Sequence, residues 1–413
     1  MKKIALFLAL SPVFASAQFA LKDGDRVVFY GDSITDQRLY TYYTETFVRT
    51  RFPGLKVSFV HSGWGGDRVT GGGGGDIDTR LTRDVLAYKP TVVTVMLGMN
   101  DASYRAFDQG IFDTFAKGYA HIVDRLKKED PGVRLTLIQP SPFDDVTRPL
   151  SYPGGYNAVL VQYGNYVKEL GMRNGATIAD LNTPVVRMLE KANATDPESA
   201  QKIINDRVHP GDAGHLTMAG ALLKAWNAPS VVASLTISDG RVANASNTAV
   251  TDFSAKGGTL SWTQKDDALP FPLNLKDPMV QLVVGSSDFL QALDQEMLTA
   301  NVPAGQYDLT IDGKKVGMFS SDELAKGINL ATMDTPMRAQ AQTVADLVRA
   351  RTEAHNQRWR SIQTNWLFAN QGIGAKERDA AMRDLDRYDA ALDAAARKAA
   401  QPVAHRFGLM IQP

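Results

Sequence analysis

Between about residues 25 and 228 the chain alternates short, unbroken apolar runs with stretches of helical period. Arg26 to Tyr30, Lys56 to Val60, Thr91 to Leu97 (TVVTVML), Arg134 to Gln139 and Ala176 to Leu181 read as strands. Tyr42 to Arg51 reads as a helix; Phe112, Phe115, Tyr119, Ile122 and Leu126 recur at helical spacing, as do Tyr156, Leu160, Tyr163, Val167 and Leu170. A strand that is apolar on both faces must be covered on both. The alternation therefore predicts an α/β fold of three layers, α/β/α, with a parallel sheet in the middle. In such sheets the site lies at the carboxyl ends of the strands, so the residues just beyond each apolar run carry the functional argument.

After Trp226 the pattern changes. Val231 to about Phe319 has short alternating segments punctuated by proline and glycine, including Leu269-Pro-Phe-Pro-Leu273. Tyr307, Leu309 and Ile311 alternate, Asp312-Gly313 is a two-residue hairpin turn, and Val316 and Met318 resume the alternation. A small antiparallel β region is expected here, followed by a capping box at Ser320 and Glu323. Thr335-Pro336 then opens a helix expected to run to about Leu367, with Val344, Leu347, Val348, Ile362 and Trp366 along one side. Asn370 to Gly374 turns the chain into a second helix ending near Ala400. The expected division is 18–228 for the α/β domain, 229–333 for the β-rich region and 334–413 for a helical hairpin.

Residues 1–17 stand apart. Lys2 and Lys3 precede an apolar stretch from Ile4 to Ala15, and Ala15-Ser16-Ala17 fits a small-x-small cleavage site. This reads as a signal peptide whose removal leaves Gln18 first, with a formal charge of −2 once the two lysines are lost. The expectation is an exported protein, periplasmic or extracellular. No later stretch is apolar for long enough to span a bilayer, so a soluble mature protein is expected. Lys plus Arg equals Asp plus Glu at 45 each, which leaves no field of one sign to recruit nucleic acid or an anionic membrane. The chain has no cysteine, which removes disulfides, thiolate metal sites and cysteine nucleophiles from consideration.

Four blocks at strand ends can do chemistry. In Val27-Val-Phe-Tyr-Gly-Asp-Ser-Ile-Thr-Asp36 an apolar strand runs into Gly31-Asp32-Ser33, and the Ser33 hydroxyl can project into the cleft. Alone, this tripeptide is equally a turn or helix cap. In Asp206-Arg-Val-His209-Pro-Gly-Asp-Ala-Gly-His215 one compact turn offers a base and the carboxylate that would orient it. The same loop could simply cap the helix that starts near Gly214, or bring Asp206, His209, Asp212 and His215 to a metal. Asn100, in Gly98-Met-Asn100-Asp101, can donate to a developing oxyanion or merely cap the next segment. Gly63-Trp-Gly-Gly66-Asp67 offers backbone N–H groups without side chains in the way, and is also a plain turn.

Taken together and in this order, the four blocks resemble those of the GDSL esterases and lipases, the SGNH hydrolases. The resemblance covers about residues 25 to 228. It implies a flavodoxin-like parallel sheet and a carboxylic ester hydrolase with Ser33 as nucleophile, His209 as general base and Asp206 as its orienting acid. It also implies an oxyanion hole from the N–H groups of Ser33 and Gly66 and the side chain of Asn100, with neither metal nor organic cofactor. His61 stands where many members carry asparagine, and Asp32 and Asp36 are structural by the same comparison.

The expected substrate is a small-molecule or polysaccharide ester with a short acyl group, such as acetate on a cell-wall or plant glycan. Alternatives are a lipase or thioesterase on longer chains, a glycan O-acetyltransferase, and a non-catalytic carbohydrate-binding or scaffold protein. Tyr40, Trp64 and Tyr104 lie near the blocks in sequence and could stack on a sugar. The run Gly71 to Gly75 lacks the Gly-Lys-Ser/Thr ending of a nucleotide loop and reads as a mobile rim. Arg349, Arg351, Arg358, Trp359, Arg360 and Trp366 read as helix packing.

Overall fold

A computed structural model describes residues 18–365 and 371–412; the signal-peptide reading of 1–17 and the proposed helix end at Trp366–Leu367 fall outside the described residues. The first half begins with β1 (Arg26–Gly31), α1 (Ser33–Asp36), α2 (Leu39–Arg51) and β2 (Ser58–Gly63). A two-stranded ribbon, β3 (Gly71–Gly72) with β4 (Gly75–Asp76), leads into α3 (Ile77–Asp84). β5 (Val92–Met96), α4 (Gln109–Glu129), β6 (Arg134–Ile138), α5 (Tyr156–Asn174) and β7 (Thr177–Ala179) follow. The domain closes with α6 (Asn182–Thr195), α7 (Pro197–Ile203) and α8 (Asp212–Ala225).

The strands order as β2-β1-β5-β6-β7, every pair parallel, the flavodoxin-like order. Val27, Val28, Val92, Val93 and Val95 are buried, as a sheet covered on both faces requires. Each such side chain is worth about 1.5–3 kcal/mol relative to exposure. α3, α4 and α5 pack in one series and α2, α8 and α6 in another. The connection direction reverses between β1 and β5, which opens a crevice at their carboxyl ends.

The second half comprises β8 (Val231–Ser238), β9 (Arg241–Ser246), β10 (Thr248–Lys256) and β11 (Thr259–Asp266), then α9 (Pro278–Ser286) and α10 (Phe289–Leu293). β12 (Gln295–Ala300), β13 (Gln306–Ile311), β14 (Lys314–Ser320), α11 (Ser321–Lys326) and β15 (Ile328–Asn329) come next. Last are α12 (Pro336–Asn356), α13 (Ala375–Ala399) and β16 (His405–Ile411). Asp312 and Gly313 take φ of 51° and 76°, the geometry of a tight hairpin turn, and Ser320 with Glu323 forms the capping box. Thr335 caps α12 ahead of Pro336.

Four features depart from the sequence pattern, the first being that β12 pairs parallel to β8 within the region expected to be antiparallel. β16 goes unregistered in the sequence, yet it lies between β11 and β13 at the centre of a five-stranded sheet. Only Phe407, Leu409 and Ile411 alternate there, around a glycine, too short a signal to separate from a tail. Residues 271–293 fold back on α6 and α8, where Phe271, Leu273, Val283, Phe289 and Leu293 join the first domain's core. Finally, α12 does not continue as α-helix beyond Asn356. Residues Gln357–Gln363 widen into a π-helix, with Thr364 N–H donating to Trp359 O at 3.0 Å.

The helical hairpin covers the open edge of the parallel sheet. α12 packs on α2 and on the edge strand β2, where the Arg351 guanidinium donates to Phe59 O at 2.7 Å and to Glu45 Oε1 at 2.7 Å. Arg397 of α13 donates to Leu55 O and Val57 O just ahead of β2. Unpaired backbone on that edge is thus capped by charge-assisted hydrogen bonds.

Candidate active site

Ser33 owes its position to a tight exit from β1. A Cβ on Gly31 would lie 2.7 Å from Met96 O, so only glycine lets β1 turn away this close to β5. Asp32, buried, accepts the Ile34 N–H at 3.1 Å and caps α1, leaving Ser33 as its first residue. Burial without a cationic partner pushes the Asp32 carboxyl up to about 8. Its observed contact is the helix cap.

Ser33 Oγ lies 2.8 Å from His209 Nε2, and His209 Nδ1 lies 2.6 Å from Asp206 Oδ2. Asp206 does more than orient the ring. Its Oδ1 accepts the N–H groups of Val208 at 2.9 Å and His209 at 2.8 Å, folding the loop around the carboxylate. Arg207 takes a left-handed φ of 70° to allow this turn. Partial burial raises the Asp206 pKa, but the hydrogen bonds from His209 and Val208 outweigh it and hold the carboxyl below its ordinary value. With Nδ1–H donated to Asp206, Nε2 is left to accept the Ser33 proton.

His215 belongs elsewhere. Its Nδ1 accepts Tyr40 N–H at 3.2 Å and its Nε2 donates to Gln37 Oε1 at 3.0 Å. Burial, with His209 nearby, lowers its pKa to about 3, so the ring is neutral and braces α8 against α2. Both nitrogens of His209 and of His215 are engaged, so Asp206, His209, Asp212 and His215 present no common set of free donors.

Gly66 and Asn100 stand at the carboxyl ends of β2 and β5, the strands on either side of β1. Gly66 is exposed with φ of 77°, and among the described residues its N–H has no protein acceptor. Asn100 Nδ2 donates one hydrogen to Asp67 O at 3.1 Å, which leaves the other free, and Asn100 Oδ1 accepts the Tyr104 hydroxyl at 3.0 Å. Asp101 Oδ1 accepts Val69 N–H at 2.9 Å, tying the segment after Gly66 to the end of β5; burial pushes this carboxyl up to about 7. Ser103 and Tyr104 both take left-handed φ, of 58° and 54°, a strained pair that turns Tyr104 toward Asn100.

Tyr40 cannot meet a sugar: it is fully buried, its hydroxyl 3.0 Å from Thr35 Oγ1. Tyr104 is exposed and Trp64 half-buried, so those two remain at the surface. The five-glycine run is folded as the β3–β4 ribbon, and a Cβ on Gly74 would meet the Trp64 ring at 2.6 Å. His61 is buried between Thr41 Oγ1 at 2.7 Å and Glu45 Oε2 at 3.2 Å, away from the reacting atoms. The residues that sequence reasoning left out of the site are Arg80, Trp359 and Arg360, which meet behind Trp64. The only signal for the last two was the Arg-Trp-Arg run, which reads as packing.

Ser33 is half-buried, while the His209 and Asp206 side chains beside it are 35% and 55% exposed. A cavity of about 520 Å³ opens between α2, α8 and α12 and is lined by Tyr42, Tyr43, Phe271 and Arg349, with none of the Ser33 group in its wall.

Residues 29–216 match the model of the GDSL-like Lipase/Acylhydrolase family. A curated relative, an acetylxylan esterase of Geobacillus stearothermophilus, is 25% identical over 226 residues, 49% of this chain and 93% of that protein. The solved structure of a gut microbial diltiazem-metabolizing enzyme is 27% identical with a TM-score of 0.83, covering 95% of this chain and 98% of that one. That likeness extends through the second half.

Proposed function

Because residues 29–216 belong to the GDSL-like lipase and acylhydrolase family, we propose that this carboxylic ester hydrolase cuts short acyl esters, acetate foremost, from carbohydrate through Ser33, His209 and Asp206. The carrying observation is the unbroken chain from Ser33 Oγ to His209 Nε2 at 2.8 Å and from His209 Nδ1 to Asp206 at 2.6 Å. Ser33 attacks the ester carbonyl while His209 takes its proton, and Asp206 stabilises the resulting imidazolium. The N–H groups of Ser33 and Gly66 and the free Asn100 amide hydrogen receive the developing oxyanion. His209 then protonates the leaving alcohol, and water, activated by the same base, releases the acid and restores Ser33.

The preference for acetyl rests on the acetylxylan esterase relative. The partly exposed His209 and Asp206 side chains beside the half-buried Ser33 support an alcohol that extends into solvent, such as a glycan. Export is part of the same proposal and rests on the Lys2 to Ala17 pattern; it predicts Gln18 as the first residue of protein recovered outside the cytoplasm.

The test is a panel of acetylated xylo-oligosaccharides, diltiazem, and p-nitrophenyl esters from acetate to palmitate, assayed with the parent and with Ser33→Ala. Turnover should be fastest on acetyl esters and vanish in folded Ser33→Ala. Undiminished hydrolysis by that variant would end the Ser33 assignment, and a preference for long chains would end the acetyl reading.

A further inference from the structure

The glycine loop Gly63–Asp67 is closed by a turn hydrogen bond from Asp67 N–H to Trp64 O at 3.1 Å and tied to β1 by Trp64 N–H to Gly31 O at 3.0 Å. Two of its residues, Gly65 and Gly66, are exposed and lack side chains, so where that turn and its Gly66 N–H sit depends on the anchors of the residues around them. Two of those anchors come from nearly 300 residues away. The Arg360 guanidinium stacks on the Trp64 ring at 3.6 Å, a cation–π contact at close range. Its Nη1 also lies 3.3 and 3.2 Å from the two carboxylate oxygens of Asp36. Asp36 Oδ2 in turn accepts the Gly65 N–H at 3.1 Å, and Asp36 is the last residue of the helix that Ser33 opens. One arginine thereby joins the nucleophile's helix to the glycine loop.

The second anchor is Trp359, which is 2% exposed. Its Nε1 donates to Asp84 Oδ1 at 2.7 Å. Asp84 pairs with Arg80, whose Nε is 2.7 Å from Asp67 Oδ2, and Asp67 O accepts the Asn100 amide at 3.1 Å. Asp67, Arg80 and Asp84 have fully buried side chains, so each pair is only weakly screened by solvent. The chain of contacts starts in the C-terminal hairpin and ends on the second oxyanion donor.

Both anchors stand on the π-helical turn Gln357–Gln363. A widened turn re-aims side chains relative to the α-helix before it, and such segments recur at functional sites. Here it brings two consecutive residues to bear on different targets, Trp359 on Asp84 and Arg360 on Asp36 and Trp64. We propose that this π-helical turn is a clamp on the oxyanion loop, and that Arg360 and Trp359 are positioning residues for ester cleavage. The proposal rests on the assignment of Gly66 and Asn100 as oxyanion donors.

A loosened loop weakens contacts made in the transition state more than contacts to the bound ester, so the loss falls on kcat. In Arg360→Ala, kcat on p-nitrophenyl acetate should fall roughly ten- to hundredfold with KM changed less than about threefold. Arg360→Lys keeps the charge facing Asp36 but not the flat stack on Trp64, and should recover only part of that loss. Trp359→Phe keeps the ring and removes the N–H to Asp84; it gives a second, milder version should Arg360→Ala fold poorly. Amide hydrogen exchange, read without substrate, should show residues 63–68 exchanging severalfold faster in Arg360→Ala while the β1 and β5 amides stay protected. Unchanged exchange in that segment, or a lowered melting temperature with kcat per folded molecule intact, overturns the clamp. A parent without esterase activity would overturn the function reading alone, since the exchange experiment needs no turnover.

Discussion

The two sides of the Ser33 site are built in opposite ways. On the base side, Asp206 and His209 are three residues apart, and one carboxylate holds both the ring and the backbone of the turn. On the donor side, Gly66 and Asn100 depend on Asp36, Arg80, Asp84, Trp359 and Arg360, contributed by three separate stretches of chain. The base side forms once a short loop closes. The donor side forms only when the hairpin of α12 and α13 docks on β2. The proposed catalytic geometry is thus local on one flank, and on the other it draws on contacts from the second half.

His209→Ala tests the base side and should produce the largest effect, lowering kcat by about 10⁴- to 10⁶-fold with little change in melting temperature. Adding Ser33→Ala to it should cost little more, because the two act as a unit; additive losses would show that they do not. Glu45→Ala probes the docking that the donor side needs. Glu45 is fully buried against Arg49 at 2.8 Å, Arg351 at 2.7 Å and His61 at 3.2 Å. Removing it leaves Arg49 with Asp393 and Arg351 with Asp389 and Asp393 as their remaining acidic partners, and should lower stability as read by urea or thermal unfolding. Its remaining activity should fall further than the melting temperature alone explains if donor geometry relies on docking.

Asn100→Ala removes one donor directly and should lower kcat by about 10²- to 10³-fold with KM nearly unchanged. A loss shared equally between kcat and KM would place Asn100 in substrate binding instead. The smallest effect concerns pH. Burial, with His61, Arg351 and Arg358 adding to it, lowers the His355 pKa from 6.5 to about 3. Between those values the unfolded chain binds a proton at His355 that the folded protein does not. Stability therefore rises with pH across that window and is lost on acidification. In His355→Gln the fall in melting temperature between about pH 6.5 and pH 4 should be shallower than in the parent, and an equal fall would remove His355 from the account.

The comparison also explains what could be read in advance. Strand–helix alternation is a local property of side-chain order, and it located every strand of the parallel sheet to within a few residues. The Asp206–His209 turn was visible because its partners are neighbours in sequence. β16 was not, since seven residues alternating around Gly408 carry no mark of the two strands they separate. Arg360 was noticed as part of a basic and aromatic run, but nothing nearby in sequence says that its partners are Trp64 and Asp36. His215 had the same chemical credentials as His209. Burial and hydrogen bonds to Tyr40 and Gln37 set it aside.

By itself, then, the amino-acid order determined the parallel sheet, the strand ends where the polar blocks gather, and the pairing of His209 with Asp206. All of these follow from contacts a few residues long or from the period of apolar side chains. Tertiary structure alone decided that the glycine loop is held from the far end of the chain. The energy that holds it comes from buried charges and stacked rings whose partners lie nearly 300 residues apart, and no local pattern records such a pairing.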